Sequence, residues 1–135
     1  MVNIDAKLKE FIVHPDKSTV LSTSNKAGEV NIAMFGSFMM PDDATILLML
    51  GDNRSYMNLT ENSNAALLVV IPGKGGMETE GCRVYLKVRK IQDDGDVFNQ
   101  IKGAIREQIG EMANILNHLI NFEILNIRPI VEIGG

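Results

Sequence analysis

From Ser18 to Phe38 the chain reads as two period-two stretches joined by Asn25-Lys26-Ala27-Gly28. In the first, Thr19, Leu21 and Thr23 share one side, and Val20, Ser22 and Ser24 the other. In the second, Val30, Ile32, Met34 and Gly36 alternate with Asn31, Ala33, Phe35 and Ser37. Such alternation sends side chains to opposite faces of a strand. A short link ending in glycine, which accepts positive φ, closes a hairpin. An antiparallel sheet is therefore the frame, and the rest of the chain must supply its other strands and its cover.

The second strand continues through Met39-Met40, and Pro41-Asp42-Asp43 turns the chain. Thr45 to Leu50 is apolar and reads as a buried strand. Ala65 to Ile71 is a continuous apolar run, consistent with a strand covered on both faces. Cys82 to Ile91 alternates as a half-exposed antiparallel strand, with Arg83, Lys87 and Arg89 forming a solvated row. Ile120 to Ile133 reads as the last strand, where Pro129 marks an edge or a bulge. Three segments have helical character. The first runs from Asn3 to Val13 and ends at His14-Pro15, since the residue before proline leaves the α region. The second is Ser55 to Glu61. The third is capped by Asp96 and runs to about Asn117, with Val97, Ile101, Ala104, Ile105, Met112 and Leu116 as its stripe. Gly103 and Gly110 each weaken it by about 1 kcal/mol, and either serve close packing or, at Gly110, divide it into two helices. Six strands in this order suggest an antiparallel sheet closing into a small barrel with helices at its ends.

At 135 residues and 45% hydrophobic content, the chain is expected to be one domain, 1–135, with a sizeable core. A formal charge of −4 lacks the basic face that a general nucleic-acid binder needs. No apolar run approaches a membrane span, and the first residues carry no signal-peptide pattern. The one cysteine, Cys82, rules out an internal disulfide framework and fits a reducing, cytoplasmic setting. Cys82 reads as a small buried hydrophobe, and His14 and His118 as non-catalytic. Neither a metal site nor a triad is evident. Pro72-Gly73-Lys74-Gly75-Gly76 lacks the spacing of a phosphate-cradling loop.

The chemistry-bearing stretch is Leu48 to Leu59. A strand stops at Gly51-Asp52-Asn53, and a short helix opens at Arg54-Ser55. The first amides of a helix have no partner inside it, and its dipole is positive there. Arg54 adds a fork of donors and Ser55 a hydroxyl, together a seat for one phosphate group. The plainer reading makes Asn53 or Ser55 an ordinary cap and Arg54 a solvated cation.

Two segments resemble a known family. Val20-Leu21-Ser22-Thr23-Ser24-Asn25-Lys26-Ala27-Gly28-Glu29-Val30-Asn31 is similar to the opening hairpin of the pyridoxamine 5'-phosphate oxidase-like, FMN-binding split-barrel family. Asn53 to Leu67 resembles the segment in which that family holds the FMN phosphate with basic and hydroxyl side chains. Gly81 to Val88 and Phe122 to Ile133 resemble two later strands. The resemblance implies a mainly β (β+α) fold, a six-stranded antiparallel split β-barrel of Greek-key type with flanking helices. It implies FMN at a homodimer interface, its phosphate on Arg54, Ser55 and nearby amides, with Asn53 also among the cofactor-binding residues. The ring would lie against Asn31, Ile32, Ala33 and Met34, with Met49 and Leu50 beside it. It implies flavin-dependent oxidoreductase chemistry with a nicotinamide or a protein partner as electron donor. A non-enzymatic flavin or electron carrier, and a cofactor-free interaction module, are the alternatives. Ser55 stands where the family often has Lys or Thr, and Val30 where it has Pro. The basic residues that pyridoxamine-phosphate oxidases use for their substrate have no counterpart, so the resemblance carries flavin binding and not that specific activity.

Overall fold

A computed structural model describes residues 6–35 and 38–132. Its elements are α1 (Ala6–Ile12), β1 (Ser18–Ser24), β2 (Val30–Met34), β3 (Met39–Asp42), β4 (Thr45–Leu50) and α2 (Arg54–Glu61). They are followed by β5 (Asn64–Ile71), β6 (Glu80–Gln92), α3 (Asp96–Ile109) and β7 (His118–Pro129), with 3₁₀ turns at Gly76–Glu78 and Gly110–Ile115. All strand pairs are antiparallel, in the order β2-β1-β5-β6-β7-β4-β3. The architecture is mainly β with flanking helices.

Among the described residues the strand count is seven rather than six, and no hydrogen bonds join the two edges of the sheet. The stretch read as one strand from Glu29 onward is two. β2 pairs with β1 at one edge of the sheet and β3 with β4 at the other, and one straight strand cannot serve both. After β2, the Phe35 amide donates to the Thr19 carbonyl at 3.2 Å, and the Thr19 hydroxyl bonds to the Phe35 carbonyl. Gly36 and Ser37 lie outside the described residues. Pro41 falls inside edge strand β3, where a missing N–H is tolerated, so the turn moves to Asp43-Ala44. The Ala44 amide donates there to Asp42 Oδ1 at 2.8 Å.

β1 and β4 take the expected bounds, and Gly28 in the hairpin has φ of 82°. The apolar run of β4 has a physical cause: the strand is covered on both faces. Ile46, Leu48 and Leu50 enter the main core with Leu21, Val69, Val84, Phe122 and Ile124. Leu47 and Met49 face the other way, packed with Phe98, Ile101 and Leu119 under α3. The long third helix is divided at Gly110 (φ 66°), one of the two roles open to that residue, and a 3₁₀ turn follows. The residue at its N-cap is Gly95, so Asp96 begins the helix instead of capping it. Asn3, expected to cap the first helix, and Ile133, expected in the last strand, lie outside the described residues.

Arg83 and Arg89 are not simply solvated. Arg83 pairs with Glu132 and donates from Nε to the Pro129 carbonyl at 3.0 Å, and Arg89 pairs with Glu123. Burial pushes the Cys82 thiol up to about 12, so it stays protonated and unreactive at neutral pH. Among the described residues no helix is long and apolar enough to cross a membrane, and no group of three or more His, Cys, Asp or Glu is placed to hold a metal.

Candidate functional site: the junction of β4 and α2

Gly51 ends β4 in a tight approach: a Cβ there would lie 2.7 Å from the Ile115 carbonyl oxygen. A side chain at that position would push the 3₁₀ turn away from the junction. Asn53 then caps α2. Its backbone is extended (φ −120°, ψ 178°), and its side-chain oxygen accepts from the Tyr56 amide at 2.9 Å. This is the usual way a helix satisfies an orphan donor. The Met57 amide reaches the Asn53 carbonyl at 3.0 Å. Among the described residues, the amides of Arg54 and Ser55 have no hydrogen-bond partner. Two donors of the helix start therefore have no partner within the described chain and are left for water or a ligand.

The side chains around them fall into two groups. Ser55 is buried, and its hydroxyl accepts from Asn31 Nδ2 at 3.3 Å, which joins β2 to the start of α2. One turn later Asn58 Nδ2 donates to Thr23 Oγ1 at 3.1 Å, a buried bond fastening α2 to β1. Arg54 is exposed and makes no ion pair or hydrogen bond among the described residues. A cation at the first helical position opposes the dipole, and α2 has no acidic residue in its first turn to offset it. An open cleft of about 600 Å³ lies beside the junction, between Gly51-Asp52-Asn53 and Asn114 to Asn117, with Phe35 and Met49 also lining it.

The structure thus brings Asn31, Asn53, Arg54 and Ser55 to one place, and puts Met49 in the adjoining cleft. Ala33 shares the Asn31 face of β2. Ile32 and Met34 point to the opposite face, 70% and 69% exposed, in a row with Val30. The Leu50 side chain is fully buried in the main core, and its carbonyl accepts from the Asn117 amide at 3.0 Å.

One cluster beside the junction escaped the sequence reading. His118, the first residue of β7, is buried, with Nε2 2.6 Å from Asp52 Oδ1 and Nδ1 2.6 Å from Asp93 Oδ1. Its ring stacks on Tyr56 with centroids 3.6 Å apart and planes 3° from parallel. Burial works to lower its pKa, but the bonds to Asp52 and Asp93 and their charges outweigh burial and raise it above the ordinary 6.5. A face-to-face sandwich is poor for two neutral rings but suits a cation over a phenol face, so the stack also favours imidazolium. The partners lie 66 and 25 residues away in the sequence, so no local spacing could have disclosed them.

Comparison with known proteins agrees with this arrangement of elements. No curated protein matches in sequence. Among solved structures, an FMN-binding protein from Syntrophomonas wolfei is similar at 27% identity and a TM-score of 0.78, over 94% of this chain and 86% of that one. HupZ from Group A Streptococcus has the same fold at 18% identity and a TM-score of 0.77, over 95% and 94% of the two chains. So does HutZ, the heme storage protein from Vibrio cholerae, at 16% identity and 0.63, over 96% and 92%. The family model described as pyridoxamine 5'-phosphate oxidase matches residues 4–131, nearly the whole sequence. The chain therefore belongs to the pyridoxamine 5'-phosphate oxidase family.

Proposed function

We propose that this protein is an FMN-binding flavoprotein of the oxidoreductase class and that the start of α2 holds the FMN phosphate. The observation that carries this reading is the pair of amides at Arg54 and Ser55 beside the Arg54 guanidinium, none of them with a partner among the described residues. Each is able to take a ligand in place of water. A dianion placed there answers both, accepting from the amides and neutralising a cation that otherwise opposes the helix dipole. The buried Ser55 hydroxyl, held by Asn31, supplies a further donor. The similarity to an FMN-binding protein supports the choice of ligand. When bound, the flavin supplies hydride or one-electron transfer at its ring. The chain's part is to orient that ring along β2, beside Met49, and to cover it from water. A nicotinamide or a protein partner is the electron donor in this reading, and the setting is cytoplasmic.

A homodimer with FMN at its interface belongs to the same reading. The outer face of the β2 edge supports it: Val30 (75% exposed), Ile32 and Met34 align across β1 with Ala66 and Leu68 of β5. An apolar row of that kind on an edge strand is an association surface rather than a solvated one.

Replacing Arg54 by Ala tests the phosphate seat. FMN affinity, read by quenching of flavin fluorescence, is expected to fall by about 1–3 kcal/mol, as lost charge-assisted hydrogen bonds do. Riboflavin, which lacks the phosphate, is expected to bind both proteins equally. An unchanged FMN affinity would remove Arg54 from the site.

A further inference from the structure

We propose that the His118 imidazolium is a positioning residue for the anion seat: clamped between Asp52 and Asp93, it masks the Asp52 carboxylate and fixes the turn that aims the Arg54 and Ser55 amides. The proposal rests on the phosphate reading above and adds what controls that site. Asp52 precedes α2 by two residues, so its charge sits beside the place where a dianion would bind. Paired with imidazolium its charge is partly offset, since Asp93 shares the same cation; unpaired it repels the ligand more strongly. Tyr56, stacked on the same ring, is the residue whose amide Asn53 caps. One side chain thus grips the junction before and after the helix start. The Asn117 amide bonds to the Leu50 carbonyl, tying the segment just ahead of His118 to the end of β4.

Charge state decides whether this grip holds. Imidazolium donates from both nitrogens, whereas neutral imidazole donates from one and presents a lone pair at the other. At 2.6 Å a carboxylate facing that lone pair must move away. The groups around the ring are Asp52 from the β4–α2 turn, Asp93 from the β6–α3 turn and Tyr56 from α2. Leu50 of β4, its cross-strand partner, is uncharged, and Lys102 of α3 reaches the neighbouring Asn117 at 3.4 Å without touching the ring. Among the described residues two anions therefore face His118, with no cation in contact. Proton loss leaves Asp52 uncompensated, and dianion binding weakens as pH rises through the folded-state pKa of His118.

The test is FMN titration, by flavin fluorescence, of the full chain and of Asp52→Asn from about pH 6 to pH 9, a span that starts below the ordinary histidine value and extends well above it. Ionisation of the FMN phosphate itself affects both proteins alike and cancels in their ratio. The wild-type dissociation constant is expected to rise about fivefold relative to that of Asp52→Asn across this range, the scale of one carboxylate near a bound dianion. His118→Gln should bind weakly at every pH, and adding Asp52→Asn to it should restore binding. Superimposable profiles for wild type and Asp52→Asn overturn the proposal even where His118→Gln fails to fold, because Asp52 is exposed and its replacement leaves the core intact. Wild-type protein that binds no FMN at any pH overturns the cofactor reading and this inference with it. FMN bound with parallel profiles overturns this inference alone.

Discussion

Gly81→Ala is expected to destabilise the fold by about 3–5 kcal/mol, combining the costs of backbone strain and of forced overpacking. Gly81 has φ of 148°, a conformation L side chains rarely adopt. It also lies where β6 pairs with β5, opposite Val70. A Cβ there would sit 2.0 Å from the Val69 carbonyl oxygen and 3.2 Å from the Val70 Cα. Both are backbone atoms of a central strand, so neither can rotate aside as a flexible side chain would. Either the β5–β6 ladder opens or the buried pair of Val69 and Cys82 shifts, and each outcome disturbs the main core. Gly28, with φ of 82° and nothing within 4 Å of its missing Cβ, is the control. Its replacement by Ala carries only the conformational term, about 1–2 kcal/mol. Urea midpoints of the three proteins, followed by circular dichroism, decide the matter. Equal losses at Gly28 and Gly81 would mean that the close approach at Val69 carries no energy.

His118→Ala is expected to cost about 2–4 kcal/mol at mildly acidic pH, from two charge-assisted bonds, an aromatic stack and a cavity at the foot of β7. The value stays below that of a fully buried ion triad because the Asp52 and Asp93 side chains are 74% and 65% exposed. The pH dependence has a definite sign. The folded-state pKa of His118 is raised above 6.5, so its contribution is complete below the unfolded value and is lost as pH rises through the raised one. Wild-type stability should therefore decline on the alkaline side over this window, and His118→Ala should lack that decline. A mutant that keeps the full wild-type slope would place the titration elsewhere.

The sheet was legible where each strand carries its own local signal. β1 and its hairpin follow from alternation and Gly28, and β4 from an unbroken apolar run that two-sided burial explains. The split between β2 and β3 was not legible. Val30 to Met34 and Phe38 to Met40 are both apolar and strand-forming, and only partner choice at opposite edges of the sheet separates them. At the site, Asn53 and Arg54 were readable from a strand-stop and helix-start pattern within a few residues. Alternation had already set Ile32 and Met34 on the face opposite Asn31, and the pleat of β2 does the same; only the resemblance tied Asn31, Ile32, Ala33 and Met34 to one ring. His118 looked inert because its chemistry comes from Asp52, Asp93 and Tyr56, gathered by three separate turns of the fold. The junction of β4 and α2 was thus found from one side, while the clamp behind it belongs to tertiary structure.

The account's central claim is that the free amides at the start of α2, with Arg54, hold a terminal phosphate. The most direct measurement is the affinity of the wild-type protein for FMN beside that for riboflavin, two ligands with the same ring that differ in the phosphate alone. FMN is expected to bind at least about a hundredfold more tightly, the scale of two charge-assisted hydrogen bonds. Equal affinities for the two flavins would contradict it.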